Sequence, residues 1–281
     1  MGSRAALVTG CSSGIGRAVV PALAAQGLTV WATARRPESI DDLAGPRVRT
    51  LALDVTDDAS MRDAVERVEA EHGHVDVLVN NAGYALQGPV EETSMDDVRA
   101  QFETNVFGLV RLTQLVLPGM RAAGHGVVVN VGSMGGRFTF PGGAFYHASK
   151  HAVEAISDGL RLEVAPFGVH VVLVQPGPVT SSFVDAAVDS VAVQDGAYAT
   201  FSQDLVERYR EAYDGSSSNL EISPDQVAAV IAKAATAEHP RARYAVGLAA
   251  KALITSRRVL PDVAWDRVVR SMWPTPKAPG G

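Results

Sequence analysis

Short apolar runs alternate with stretches of helical period along most of the chain. The runs at 5–9, 29–33, 48–53, 75–80, 126–131, 169–175 and 244–246 predict strands. Several are Val- and Leu-rich throughout rather than alternating, as expected where both faces of a sheet are covered. Between them, apolar positions recurring every three to four residues predict helices near 14–26, 57–72, 96–123, 146–165 and 224–237. Strand–helix alternation of this kind predicts an α/β fold, a Rossmann-type doubly wound parallel sheet of about seven strands in a single domain. That domain is expected to occupy residues 1–247, followed by a helical extension and tail over 248–281.

Two regions break the rhythm. Residues 181–222 lie between the sixth predicted strand and the next helix. They include Gly215-Ser216-Ser217-Ser218-Asn219, whose composition predicts a flexible joint. An insertion after a strand's carboxyl end sits over the ligand crevice of an open sheet, so 181–222 is expected to be a substrate lid. In 248–273, Trp265, Val268, Val269, Met272 and Trp273 share one face of a predicted helix. Asp266, Arg267 and Arg270 take the other, and Pro261 suits the first turn. Packing of that face on the body is favoured over membrane anchoring.

Composition narrows the class. Of 281 residues, 47% are hydrophobic and 20% charged, which excludes a mostly disordered chain. One cysteine, Cys11, leaves no intramolecular disulfide to form, so a reducing, cytoplasmic setting is expected. No run approaches the ~18 apolar residues of a membrane span. The net charge of −6 divides into +6 over 241–281 and −12 elsewhere. A basic tail solvated or paired with the acidic body is expected, with a phosphate-bearing partner as the alternative. Neither nucleic acid nor a metal is expected.

The first strand runs into Thr9-Gly10-Cys11-Ser12-Ser13-Gly14-Ile15-Gly16 and then a helix. Gly10, Gly14 and Gly16 allow a tight turn and close approach of a pyrophosphate, whose charge the helix N-terminus favours. After the second strand, NAD binding calls for a carboxylate to hold the ribose hydroxyls. The chain instead reads Ala32-Thr33-Ala34-Arg35-Arg36, and two guanidinium groups suit a 2′-phosphate, so NADP (NADPH) is the expected cofactor. Tyr146 and Lys150 are four residues apart, neighbours on one helix face. A cation beside a phenol would favour phenolate and lower its pKa from ~10. Ser133, at a strand end, can donate to a carbonyl oxygen. Asn105 falls on the apolar stripe of helix 96–123 and needs a specific partner, since a buried unpaired amide costs ~1–3 kcal/mol.

Together these residues resemble the short-chain dehydrogenase/reductase family over about residues 4–247, with weaker similarity to its steroid- and retinoid-reducing branch. Residues 9–16 agree with its cofactor signature. Asp54, with Val55 beside it, resembles its adenine-contacting Asp, Asn80-Asn81-Ala82-Gly83 its fourth-strand motif, and Pro176-Gly177 the turn after its sixth strand. The resemblance implies a catalytic tetrad. Tyr146 would be the general acid/base and Ser133 would orient the substrate oxygen. Lys150 would hold the nicotinamide ribose and lower the Tyr146 pKa, and Asn105 would position a relay water. It also implies nicotinamide contacts from Val179 and from Thr180 or Ser181, and 2′-phosphate contacts from Arg35, helped by Ser12 or Ser13. A homodimer or homotetramer is implied, built on helices 96–123 and 146–165, where Ala148, Ala152, Ala155 and Gly159 keep one face small.

The implied reaction interconverts a ketone or aldehyde and its alcohol. The lid residues Phe183, Val184, Ala186, Ala187, Val188, Val191, Val193, Tyr198, Phe201, Leu205 and Tyr209 point to a lipophilic substrate without a charged anchor. The alternatives are a non-catalytic nucleotide sensor or scaffold of the same fold, which should lose the Tyr or Lys, and a reductase of carrier-bound 3-oxoacyl chains.

Overall fold

The computed structural model describes residues 4–180, 183–193, 195–212 and 221–277. Seven strands form one sheet: β1 (Ala5–Val8), β2 (Thr29–Ala34), β3 (Val48–Ala52), β4 (Val77–Asn80), β5 (Gly126–Val131), β6 (Val169–Pro176) and β7 (Arg243–Val246). Every pairing is parallel, in the order β3-β2-β1-β4-β5-β6-β7. The order reverses between β1 and β4, and such a switch point opens a crevice at the carboxyl ends of the strands.

The continuous apolar runs are explained by burial on both faces. Val8, Val30, Val79, Val129 and Val172 pack under α1 (Gly14–Ala25) and α8 (Pro224–Thr236). The alternate residues Leu7, Trp31, Leu78, Val128 and Val171 pack under α2 (Asp58–His72) and α4 (Gly108–Ala123), with α5 (Ala144–Val164) beside them. Leu78 is fully buried, and truncating such a residue to Ala costs ~2–5 kcal/mol. Local signals agree with the ends: the Asp57 carboxylate accepts the Ala59 N–H at 2.9 Å, and Ser223 and Gln226 form a reciprocal cap on α8.

The expected helix 96–123 differs. It consists of α3 (Met95–Phe102), a π-helical turn (Glu103–Phe107) and α4. The extra residue in that turn places Asn105 against the loop after β4, a placement π turns often provide at functional sites. The lid region contains α6 (Phe183–Asp189) and α7 (Ala199–Ala212), while its Gly/Ser stretch 215–219 lies outside the described residues. The extension contains two helices, α9 (Leu248–Val259) and α10 (Asp262–Met272). Proline disfavours helix in the residue before it, and Leu260 is extended, so Pro261 caps α10 rather than entering its first turn. Trp265 and Val269 are buried against Phe138 and Phe140, so α10 packs on the body. Among the described residues, no helix is long and apolar enough to cross a membrane.

Candidate active site

The carboxyl ends of β1, β4, β5 and β6 meet around a cleft of about 500 Å³. Gly10 (φ +72°) and Gly14 (φ +54°) give the turn after β1 its left-handed conformations. A Cβ on Gly10 would come within 2.9 Å of the Ala82 backbone, and one on Gly16 would strike the Gly10 carbonyl. The turn is held from β4: the Asn81 amide donates to the carbonyls of Thr9 (2.9 Å) and Gly10 (3.1 Å). The Thr9 hydroxyl accepts the N–H groups of Asn81 and Ala82 at 3.0 Å. Asn81 therefore shapes the turn with its side chain, and Thr9 is a second organiser whose signal was its place in the glycine motif.

Ser12, Ser13, Gly14, Ile15, Arg35, Asp54, Val55, Ala82 and Gly83 line this cleft, as do Pro176, Gly177 and Val179. Gly16 and Arg36 are not on its wall. The Thr180 hydroxyl is committed to Glu221 at 2.8 Å, and Ser181 lies outside the described residues. Asp54 accepts from the N–H (2.9 Å) and hydroxyl (2.8 Å) of Thr56, which fixes its carboxylate at the β3 end. Burial and Asp97 push the Tyr84 phenol up while Arg35 pulls it down, so the Arg35 guanidinium acts at the cleft rim.

Ser133, Tyr146 and Lys150 stand together on the opposite wall. Ser133 follows β5 and accepts the Gly135 N–H at 3.0 Å. Burial pushes the Tyr146 phenol up to about 12, opposed by its hydrogen bond with Ser133. Burial pushes the Lys150 ammonium down to about 8. Its Nζ donates to the Val131 carbonyl at 3.0 Å and lies 5.8 Å from the Tyr146 ring centre. The expected lowering of the Tyr146 pKa by Lys150 is therefore not what the geometry yields, because desolvation dominates at the phenol.

Asn105 lies just beneath the cleft wall. Its Oδ1 accepts the Tyr84 N–H at 3.0 Å, and its Nδ2 donates to the Tyr84 carbonyl (2.9 Å) and the Ser149 hydroxyl (3.1 Å). A Cβ on Gly83 would come within 2.9 Å of Asn105 Oδ1 and 3.8 Å of Lys150 Nζ, so a glycine there lets the two side chains approach. The sequence pattern does not anticipate the part taken by His147. Its Nδ1 accepts the Phe140 N–H at 3.2 Å, and burial, with His151 nearby, pushes its pKa down to about 4.

The cover differs from expectation in two respects. Of the apolar lid residues, Phe183, Ala187 and Tyr209 reach the cleft, whereas Val191, Phe201 and Leu205 build a small core of their own. The Val184 side chain lies outside the described residues. Charged groups are present after all, since Arg208 and Glu221 line the cleft. Trp273 joins lid to extension. It stacks on Phe140 (4.7 Å) and meets Tyr209 (4.9 Å), while Arg208 Nε donates to the Met272 carbonyl at 2.8 Å. In the basic tail, Arg243 pairs with Glu154 (3.1 Å) and Asp158 (2.5 Å), and Arg257 with Asp262 (2.7 Å).

A parallel sheet in this order, with a glycine turn under its switch point and a Ser–Tyr–Lys cluster across the cleft, defines a Rossmann-type oxidoreductase. The short chain dehydrogenase pattern matches residues 4–191. A 3-ketodihydrosphingosine reductase from Bacteroides thetaiotaomicron is 38% identical over 260 residues, covering 91% of this chain and 93% of its own. A short-chain dehydrogenase from Streptomyces avermitilis superposes with a TM-score of 0.79 at 38% identity, covering 96% and 98% of the two chains. One from Burkholderia cenocepacia, solved in complex with NADP, gives 0.74 at 25% identity over 95% and 97%. The chain belongs to the short-chain dehydrogenase/reductase family.

Proposed function

We propose that the protein interconverts a ketone or aldehyde and the corresponding alcohol on a lipophilic small molecule, using NADP(H). The observation that carries this reading is the convergence of Ser133, Tyr146 and Lys150 across one cleft from the glycine turn. The residues fit the cofactor: the glycine turn lines the cleft with bare backbone at Gly10 and Gly14, and Arg35 stands at the rim where a carboxylate would repel a 2′-phosphate. Gly10, Ser12, Ser13, Gly14 and Ile15 would hold the pyrophosphate side, where Gly16 lets the helix start close on Gly10, and Arg35 would face the 2′-phosphate. Asp54 and Val55 would hold the adenine, and Asn81, Ala82 and Gly83 the ribose side. Pro176, Gly177 and Val179 would hold the carboxamide end. Bound NADPH supplies the hydride.

The chain's own residues manage the proton. Tyr146, pushed up to about 12, keeps its proton at neutral pH and can donate it to a nascent alkoxide, while Ser133 hydrogen-bonds the same oxygen. Lys150 would hold the ribose and, with a pKa of about 8, exchange its proton readily. Asn105 would position the water that resupplies it. The mixed apolar wall of Phe183, Ala187, Tyr209 and Trp273 supports a lipophilic substrate. The similarity to a 3-ketodihydrosphingosine reductase from Bacteroides supports the same reading. Residues 181–222 and the extension from 248 would act as a cover that opens for entry.

Assembly as a homodimer or homotetramer, in the cytoplasm, completes the proposal. The small face of α5 at Ala148, Ala155 and Gly159 is exposed, and Phe107 and Leu162 beside it are 54% and 67% exposed. The test mixes protein, NADPH and a panel of aliphatic and aromatic carbonyls and follows loss of the reduced cofactor's absorbance. Turnover of apolar ketones supports the reading. No oxidation of NADPH by any carbonyl would leave a non-catalytic nucleotide binder.

A further inference from the structure

The amino ends of β1, β4 and β5 form the opposite edge of the sheet from the cleft. There His74, Asp76 and His125 bring their ligand atoms within 4.8 Å of one another. Asp76 Oδ1 lies 3.4 Å from His74 Nε2 and 3.7 Å from His125 Nδ1. The ligand atoms of a tetrahedral zinc ion, with bonds of ~2.0–2.1 Å, stand about 3.4 Å apart. The three groups thus sit close to the corners of one face of such a tetrahedron. Only the third edge has to close, and His125, whose side chain is 54% exposed, is free to turn.

Three further facts favour ligation over simple packing. Asp76 is buried, and its other oxygen, Oδ2, accepts the Ala5 N–H at 2.7 Å, which orients Oδ1 toward the two imidazoles. Metal sites commonly orient a first ligand through such an outer hydrogen bond. His74 Nε2 is buried and makes no hydrogen bond among the described residues. The imidazole rings of His74 and His125 lie 5.0 Å apart in an edge arrangement. The competing cation is Arg4, whose Nε is 3.8 Å from Asp76 Oδ1. Its side chain is 44% exposed and can swing to solvent.

We propose that His74, Asp76 and His125 bind a divalent transition-metal ion of the zinc class, with water completing the coordination. Two imidazoles and one carboxylate suit Zn²⁺ and Co²⁺, whereas Mg²⁺ and Ca²⁺ prefer sets made of oxygen. The ion would clamp the turn before β4 to the turn before β5, joining segments about 50 residues apart in sequence and adding to stability. The site is remote from the cleft and takes no part in hydride transfer.

The test uses the full, untagged chain and Co²⁺, whose visible absorption reports tetrahedral coordination, followed by displacement with Zn²⁺. One Co²⁺ per chain is expected, and Zn²⁺ at about 100 times its Kd should raise the Tm by roughly 5 °C. His74→Gln and His125→Ala should each weaken binding at least ~10-fold while leaving NADPH-dependent turnover unchanged. The second histidine pair, His170 and His239 (6.4 Å apart), is the control, and His239→Ala should leave the signal intact. A wild-type chain without the tetrahedral signal would overturn the proposal. So would a signal that survives in the His74→Gln/His125→Ala double variant, one that is lost in His239→Ala, or equal affinity for Mg²⁺.

Discussion

The floor and the cover of the cleft are built by different physics. The floor rests on strands whose side chains are buried on both faces, and its functional loops are tied by hydrogen bonds that Asn81 and Asn105 donate and that the Thr9 hydroxyl accepts. A buried chain of amides, Asn80 to Asn130 (2.9 Å) and Asn130 to Ser157 (2.9 Å), locks β4, β5 and α5 beneath it. Satisfied polar networks of this kind specify one arrangement. The cover instead consists of short amphipathic helices with small cores of their own, which meet at Trp273 and through the hydrogen bond from Arg208 to the Met272 carbonyl. The contrast sets a floor fixed by buried hydrogen bonds apart from a cover held by the packing of small apolar clusters.

The sharpest way to break this division is at the floor. Tyr146→Phe keeps the ring and removes the transferable proton, so turnover should fall at least ~100-fold while NADPH still binds. Steady-state rates and cofactor titration check this, and near-normal turnover would remove Tyr146 from the chemistry. Next in size is Arg35→Ala. Losing a charge-assisted contact worth ~1.5–3 kcal/mol should cut the preference for NADPH over NADH by roughly 10- to 150-fold. Equal affinity of the unaltered protein for both cofactors would contradict the assignment.

At the cover, Trp273→Ala should raise KM for bulky apolar substrates about 10-fold while leaving NADPH affinity unchanged, a loss of binding rather than chemistry. Ending the chain after residue 248 is a blunter instrument. It uncovers Phe138 and Phe140, which pack on Trp265, and a lower Tm is expected alongside the change in KM. If Trp273→Ala alone lowered kcat for small substrates equally, floor and cover would not be separable.

The smallest effect at neutral pH lies at His147, where floor and cover meet through Phe140. Its pKa is lowered to about 4 in the fold, so below the ordinary 6.5 an unfolded chain takes up a proton that the folded one refuses. Its contribution is complete above about pH 6.5 and drains as pH falls toward 4, by about 1.4 kcal/mol per unit. His147→Asn retains an acceptor for the Phe140 N–H and should lose less Tm between pH 7 and 5 than the unaltered protein. Identical acid sensitivity would exclude this histidine as a contributor.

Periodicity along the chain determined the strands to within about two residues, because a strand buried on both faces must be apolar throughout and a helix must repeat its contacts every turn. Spacing determined the glycine turn and the Tyr–Lys pair, since both depend on neighbours within a few residues. Other properties depend on segments far apart in sequence, and only the tertiary structure decided them. The π turn at Asn105 is set by contacts with Tyr84 and Ser149. The raised Tyr146 phenol follows from how neighbouring elements bury it, which no pairing rule for Lys150 anticipates. Val191, Phe201 and Leu205 read as substrate contacts until packing gave them a core of their own. The meeting of His74, Asp76 and His125 arises from the parallel register that aligns the amino ends of β4 and β5, with Val77 opposite Val127.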